Sequence, residues 1–133
     1  MAQAVPAGVA EFRGLVHEAA RRAGGTVTRW CEPDVTPNFH AAYVEYSDHR
    51  PTVAVLYSHA GDVALATGHE QQPVEFVDDA ALTGVLAELN LHVRGSAELR
   101  RPFRAEDWPL LDVRDVRYWR PQTVGEALFN WWD

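Results

Sequence analysis

The residues of this sequence that could bind a metal, attack a substrate or hold an anion are six histidines, one cysteine, three serines and a cluster of arginines. His17, His40, His49, His59, His69 and His92 stand singly, with no His-Glu-x-x-His, His-x-His or Cys-x-x-Cys spacing, so no metal site and no cofactor is predicted. The nearest approach to one is a turn bearing Asp48 and His49 and a later segment bearing His69 and Glu70. An antiparallel meander would bring these two to the same end of a sheet. Cys31 reads as a small buried hydrophobe, and Ser47, Ser58 and Ser96 lie in no Gly-x-Ser-x-Gly context. The adjacent acids Asp78-Asp79 and Glu106-Asp107 point in different directions on any regular element, which does not make an acid/base couple. Arg94, Arg100, Arg101 and Arg104, followed by Trp108, form the one patch with the makings of an anion or RNA site. Pairing of these arginines with the acids of residues 32–79 is the reading favoured here. No catalytic residue is predicted.

Charge is unevenly placed. Residues 1–31 carry four Arg and two Glu, a net +2; residues 32–79 carry nine acids against Arg50 alone, a net −8; residues 80–133 are at −1. An acidic middle segment repels nucleic acid and favours a basic partner or none at all, its charge then serving solubility. Asp48, Asp62 and Glu70 are the candidate partner-binding residues on it. All 12 basic residues are Arg, which with the abundant Ala and Val points to a high-GC bacterial genome. No apolar run reaches the ~18 residues of a membrane span, the N-terminus lacks a secretory signal, and one cysteine fits a reducing compartment. A cytoplasmic protein is expected.

These residues must be positioned by few elements. A chain of 133 residues with 47% hydrophobic content and no linker or repeat predicts a single domain over 1–133. Phe12, Leu15, Val16, Ala19, Ala20 and Ala23 recur at helical spacing, predicting a helix from about Pro6 to Ala23 stopped by Gly24-Gly25. Thr26–Cys31, Phe39–Tyr46, Thr52–Ser58 and Asp62–Thr67 read as an antiparallel meander of about four strands, the last three joined by short turns, with one or two further strands to follow. Val53, Val55 and Tyr57 would then share one face and Ala54, Leu56 and Ser58 the other. A middle helix capped by Asp78 or Asp79 buries Leu82, Val85, Leu86 and Leu89 and stops at Asn90. Residues 91–99 alternate in the manner of a strand, 100–112 read as a loop, and Val113–Trp119 as a short strand. Thr123 and Glu126 form a capping box that opens a mostly apolar, buried C-terminal helix with a polar stripe of Glu126, Asn130 and Asp133. The fold class is α+β.

That tail is the most distinctive string. Tyr118-Trp119-Arg120-Pro121, Thr123-Val124-Gly125-Glu126, Phe129-Asn130 and Trp132-Asp133 resemble the ending of small uncharacterised bacterial proteins, some of which resemble immunity proteins of polymorphic toxin systems. The resemblance covers the tail alone. It implies a compact antidote whose partner is a toxin domain, and it transfers no catalytic residue. Three functions follow as expectations. The first is a non-enzymatic acidic binding protein, immunity-like, neutralising a basic toxin partner. The second is a small-ligand binder or enzyme with a pocket between sheet and helices, drawing on Tyr43, Tyr46, Tyr57 and the histidines. The third is a homo-oligomeric scaffold.

Overall fold

The computed structural model describes residues 8–32, 39–70 and 73–130. Helix α1 (Val9–Ala23) buries Phe12, Val16, Ala19 and Ala20 along one stripe. It ends where Gly24 turns left-handed at φ 91 and returns its N–H to the carbonyls of Ala20 and Arg21. The expected start at Pro6 lies outside the described residues. Strands β1 (Gly25–Cys31), β2 (Phe39–Tyr46), β3 (Val53–Ser58) and β4 (Val63–Ala66) pair antiparallel in chain order, and β5 (Val93–Arg94) adds parallel to β4. Chain-order pairing follows from the short turns, which leave each strand no neighbour but the next one.

The register fixes the faces. Val44 pairs with Val53, Ala42 with Val55 and Val55 with Leu65, and these side chains pack under α1 and α2 (Ala80–Glu88) with Phe12, Val16, Leu82 and Leu86. Ala41, Ala54, Leu56, Ala64 and Ala66 face the other way, against Phe76, Leu99, Val124, Leu128 and Phe129. Four of those five sheet residues are alanine, and small side chains let the short C-terminal elements settle close to the strands. Strands β3 and β4 are buried along their whole length because both faces are covered. The alternation expected for 53–58 and the opposition of Tyr43 and Val44 both hold.

Helix α2 takes Asp79 as its cap, the carboxylate accepting from the Leu82 amide at 3.0 Å, and the chain leaves it through Asn90 at φ 66. Three expectations are corrected beyond this point. Residues 91–99 do not form a strand: only Val93–Arg94 pair. The Asp78 carboxylate then accepts the Ser96 amide at 2.9 Å and the Ser96 hydroxyl at 2.6 Å, turning the chain into α3 (Ser96–Leu99). Val113–Trp119 is helix α4 rather than a strand, opened by Asp112, whose side chain accepts from the Arg114 amide. With no strand alongside to bond it, a helix is the conformation that satisfies its own backbone. The terminal helix, α5, spans only Val124–Leu128. The Thr123 half of the expected capping box forms, with Thr123 Oγ1 accepting from the Glu126 amide at 3.2 Å, but Glu126 Oε1 accepts from the amide of Gln122, one residue before the cap, at 3.1 Å. Asn130 leaves the expected polar stripe and is buried, its Nδ2 donating to the Ala127 carbonyl. Trp131, Trp132 and Asp133 lie outside the described residues.

Between α3 and α5 the chain leaves the body and comes back. The Phe103 amide donates to the Gln122 carbonyl at 2.9 Å and the Val124 amide to the Arg101 carbonyl at 3.0 Å, closing the base of a lobe over residues 104–120. The lobe holds a 3-10 turn (Ala105–Asp107) and α4, and no residue from Arg101 to Arg120 is buried. Among the described residues no helix is long and apolar enough to cross a membrane.

Candidate functional site

The acids singled out by charge are mostly engaged within the chain. Asp62 Oδ1 accepts from Arg94 Nε at 2.9 Å with its side chain only 15% exposed, and Arg94 reaches on to Glu98 at 2.7 Å. Burial pulls the Arg94 guanidinium down, but its bonds to Asp62 and Glu98 outweigh this and hold it above its ordinary value. Asp48 is held below the usual carboxylate range by its hydrogen bonds from the Arg50 side chain and amide. Glu70 lies 3.6 Å from Arg29 at the surface. Asp78 and Asp79 cap α3 and α2. From outside the segment, Arg94 and Arg29 thus offset part of the net −8 of residues 32–79.

Sequence reasoning gathered Tyr43, Tyr46, Tyr57 and the histidines into one pocket, and the structure separates them. Tyr57 stacks on Phe12 at 4.2 Å on the α1 side of the sheet. His40 sits between Trp30 and Tyr57, with His59 6.1 Å away, and burial pushes the His40 imidazole below its ordinary value. Tyr43 is on the opposite face, where its hydroxyl accepts the His69 amide at 3.1 Å and meets His69 Nδ1 at 2.5 Å; burial lowers His69 as well. Tyr46 donates to Asp79. His49 is exposed in the β2–β3 turn while His69 is half-buried on Tyr43, and among the described residues no group of three His, Cys, Asp or Glu is placed to hold a metal ion.

The expected pairing of the arginine cluster with the middle segment is realised by Arg94 alone. Arg100 donates instead to the Phe76 carbonyl at 3.0 Å and the Ser96 hydroxyl at 3.4 Å. Arg101 and Arg104 have no carboxylate within 4.0 Å among the described residues. Trp108 lies under the Arg94 guanidinium at 5.0 Å and ties the lobe to the body.

One concavity is not announced by the sequence. A cleft of about 480 Å3 opens between the extended segment 73–76, the end of α3 and the first turn of α5. Val74, Phe76, Leu99, Trp119 and Phe129 supply its apolar walls, and Arg100, Glu126 and Asn130 its polar groups. Segment 73–76 is held by the Thr67 amide on the Glu75 carbonyl and the Val77 amide on the Leu65 carbonyl. Gly125 is needed at the floor, because a Cβ there would stand 2.3 Å from the Phe76 ring. The polar groups already serve structure, Arg100 on Phe76 and Ser96 and Glu126 on Gln122, and the Thr123 hydroxyl is the cap of α5. The cleft can therefore hold a guest but lacks an activated nucleophile among its described residues.

Trp119 is 37% exposed and forms the wall between this cleft and the open surface of the lobe, where a shallow concavity is lined by Arg114, Asp115, Tyr118 and Trp119. Leu110 at 99%, Val113 at 62% and Tyr118 at 77% are exposed on the lobe itself. A signal for this was present in the sequence as the density of Tyr, Trp and Arg over 114–120, but it was taken up by the strand reading. No family model matches the chain, and no curated protein or solved structure is significantly similar to it.

Proposed function

We propose that this chain is a non-enzymatic binding protein, acting in the cytoplasm, that presents the 104–120 lobe and the adjoining Trp119 cleft to a protein partner. One observation carries the reading: twenty consecutive residues, 101–120, contain no buried side chain, yet Leu110, Val113, Tyr118 and Trp119 are among them. Exposed apolar side chains together cost solubility, and a monomer keeps such a patch where something covers it. Tyr, Trp and Arg are also the residues that anchor protein interfaces. The base of the lobe is clamped by two backbone hydrogen bonds, so the surface is held in shape before any partner arrives. The string that resembles immunity-like proteins runs through Tyr118, Trp119 and Arg120, and a toxin domain is a partner of this class.

The test is titration of the partner that the wild-type chain captures against a Leu110→Ser/Tyr118→Ser double variant. Loss of about tenfold or more in affinity is expected, with an unchanged melting temperature. Equal affinity of the two proteins would remove the lobe as the docking surface. Where the partner is a toxin, co-expression of the wild type restores growth and the double variant does not.

A second reading, a basic partner approached through the acidic segment, is favoured by the exposure that Asp48 and Glu70 keep, 53% and 69%. Under it, binding weakens as salt rises, and reversing Asp48, Asp62 and Glu70 slows association more than it speeds dissociation. Binding indifferent to salt and to these reversals disposes of it.

A further inference from the structure

Helix α4 has a charged and an apolar side, and their placement narrows the partner; this rests on the lobe being the docking surface. Arg114, Arg117 and Arg120 follow one another at three-residue steps. Arg120, the C-cap, turns left-handed at φ 49 and leaves the helical geometry, whereas at about 100° and 1.5 Å per residue Arg114 and Arg117 lie within about 60° and 4.5 Å of each other on α4. Val113 and Tyr118 flank them, both largely exposed. Val116 and Trp119 lie round the helix, Val116 half-buried and Trp119 in the cleft wall, with Asp115 beside Trp119. Arg114 shares its charge with Asp112 at 3.4 Å and is 90% exposed. Arg117 and Arg120 have no carboxylate within 4.0 Å among the described residues. Residues 113–120 carry a net +2 in a chain of −7.

Two guanidinium groups on one side of a short helix, flanked by apolar surface, form a pair of forks that carboxylates can meet two hydrogen bonds at a time. We infer that this face of α4 docks an acidic protein segment, its carboxylates against Arg114 and Arg117 and an apolar side chain against Tyr118. Acids spaced i, i+3 or i+4 on a partner helix match the one-turn separation of Arg114 and Arg117, and a further acid at i+7 extends toward the end of α4. A nucleic acid fits less well, because a long polyanion would run on against the rest of the chain, which is at −9. A compact acidic segment touches this face alone.

The experiment uses fluorescent helical peptides of about five turns. They share the same leucines and carry Glu, Gln or Lys at the i, i+3, i+4 and i+7 positions. Each is titrated into the wild-type chain, an Arg114→Glu/Arg117→Glu variant and a Tyr118→Ser variant, with thermal melting to show that all three are folded. The Glu peptide is expected to bind about tenfold or more tightly than the Gln peptide and to weaken as salt rises. The arginine variant should lose that advantage. Equal binding of the three peptides, abolished by Tyr118→Ser, overturns the preference for acid while leaving the lobe as a docking surface. Tighter binding of the Lys peptide, or no binding of the Glu peptide, overturns the inference, and the partner titration of Leu110→Ser/Tyr118→Ser then judges the lobe separately. Preference for oligothymidylate over the Glu peptide overturns it in favour of nucleic acid.

Discussion

The body and the lobe of this protein hold aromatic residues in opposite ways. In the body, Phe39, Phe76 and Phe129 meet ring against ring at 5.8 Å on one face of the sheet, and Phe12 stacks on Tyr57 on the other. All five are buried, and their apolar area contributes to folding. In the lobe, Tyr118 and Trp119 meet edge to face at 4.9 Å, and the pair stays open to water. The polar groups differ in the same sense. Body residues such as Asp62, Asp78 and Asp79 are tied to other elements by sequence-distant hydrogen bonds, whereas Asp112 and Arg114 in the lobe pair within their own turn. One region therefore spends its side chains on its own stability, and the other holds a shaped surface at little cost to the fold.

The sharpest break of that contrast compares Phe129→Ala with Tyr118→Ala. Phe129 is 2% exposed between Phe39 and Phe76, so its truncation should cost about 3–5 kcal/mol. That is a fall in melting temperature of more than about 10 °C, or an insoluble protein. Tyr118→Ala should stay within about 0.5 kcal/mol of wild type. Comparable melts for the two variants would dissolve the distinction between body and lobe, and a Phe129→Ala protein that melts normally but changes mass in light scattering would make α5 an interface.

A smaller effect is expected from Thr123→Ala, at the joint between the two regions. It removes the cap on the Glu126 amide and should cost about 1 kcal/mol in chemical denaturation. The cap is intermediate in burial, so a loss near that of Phe129→Ala would mean that the lobe clamp and α5 unfold together.

The finest distinction is in pH. His40 and His69 are body residues whose imidazoles burial holds below the ordinary value, so the folded state favours their neutral forms. The unfolded chain then binds more protons, and the stability they contribute is full above the unfolded imidazole pKa of about 6.5. It is lost as pH falls from there through the lowered folded values. His40→Phe should flatten the acid side of a stability-versus-pH curve, and Tyr118→Ala should leave that side as in wild type. An unchanged acid limb in His40→Phe would show that the imidazole takes up its proton in the fold without penalty.

The sequence by itself determined the elements whose signals are local. The apolar spacing of Phe12 to Ala23 with Gly24 behind it, the alternation of 53–58, the Asp79 cap and the Thr123 cap each act within a turn or a strand, and each is where it was expected. Short turns also committed the meander, since they leave antiparallel neighbours no alternative. What only the tertiary structure decided depends on partners distant in sequence. Alternation over 91–99 fits a strand, but the Asp78 carboxylate, 18 positions away, captures Ser96 and makes a helical turn. Val, Tyr and Trp over 113–119 carry strand propensity, yet no strand lies beside them, so the backbone bonds to itself as α4. The charge count of 32–79 was legible, whereas its partial offset by Arg94 and Arg29 was not, because a sum over sequence carries no distances. The cleft was hidden for the same reason. Its walls come from residues 74, 76, 99, 119 and 129, which no periodicity links, and packing alone brings them together.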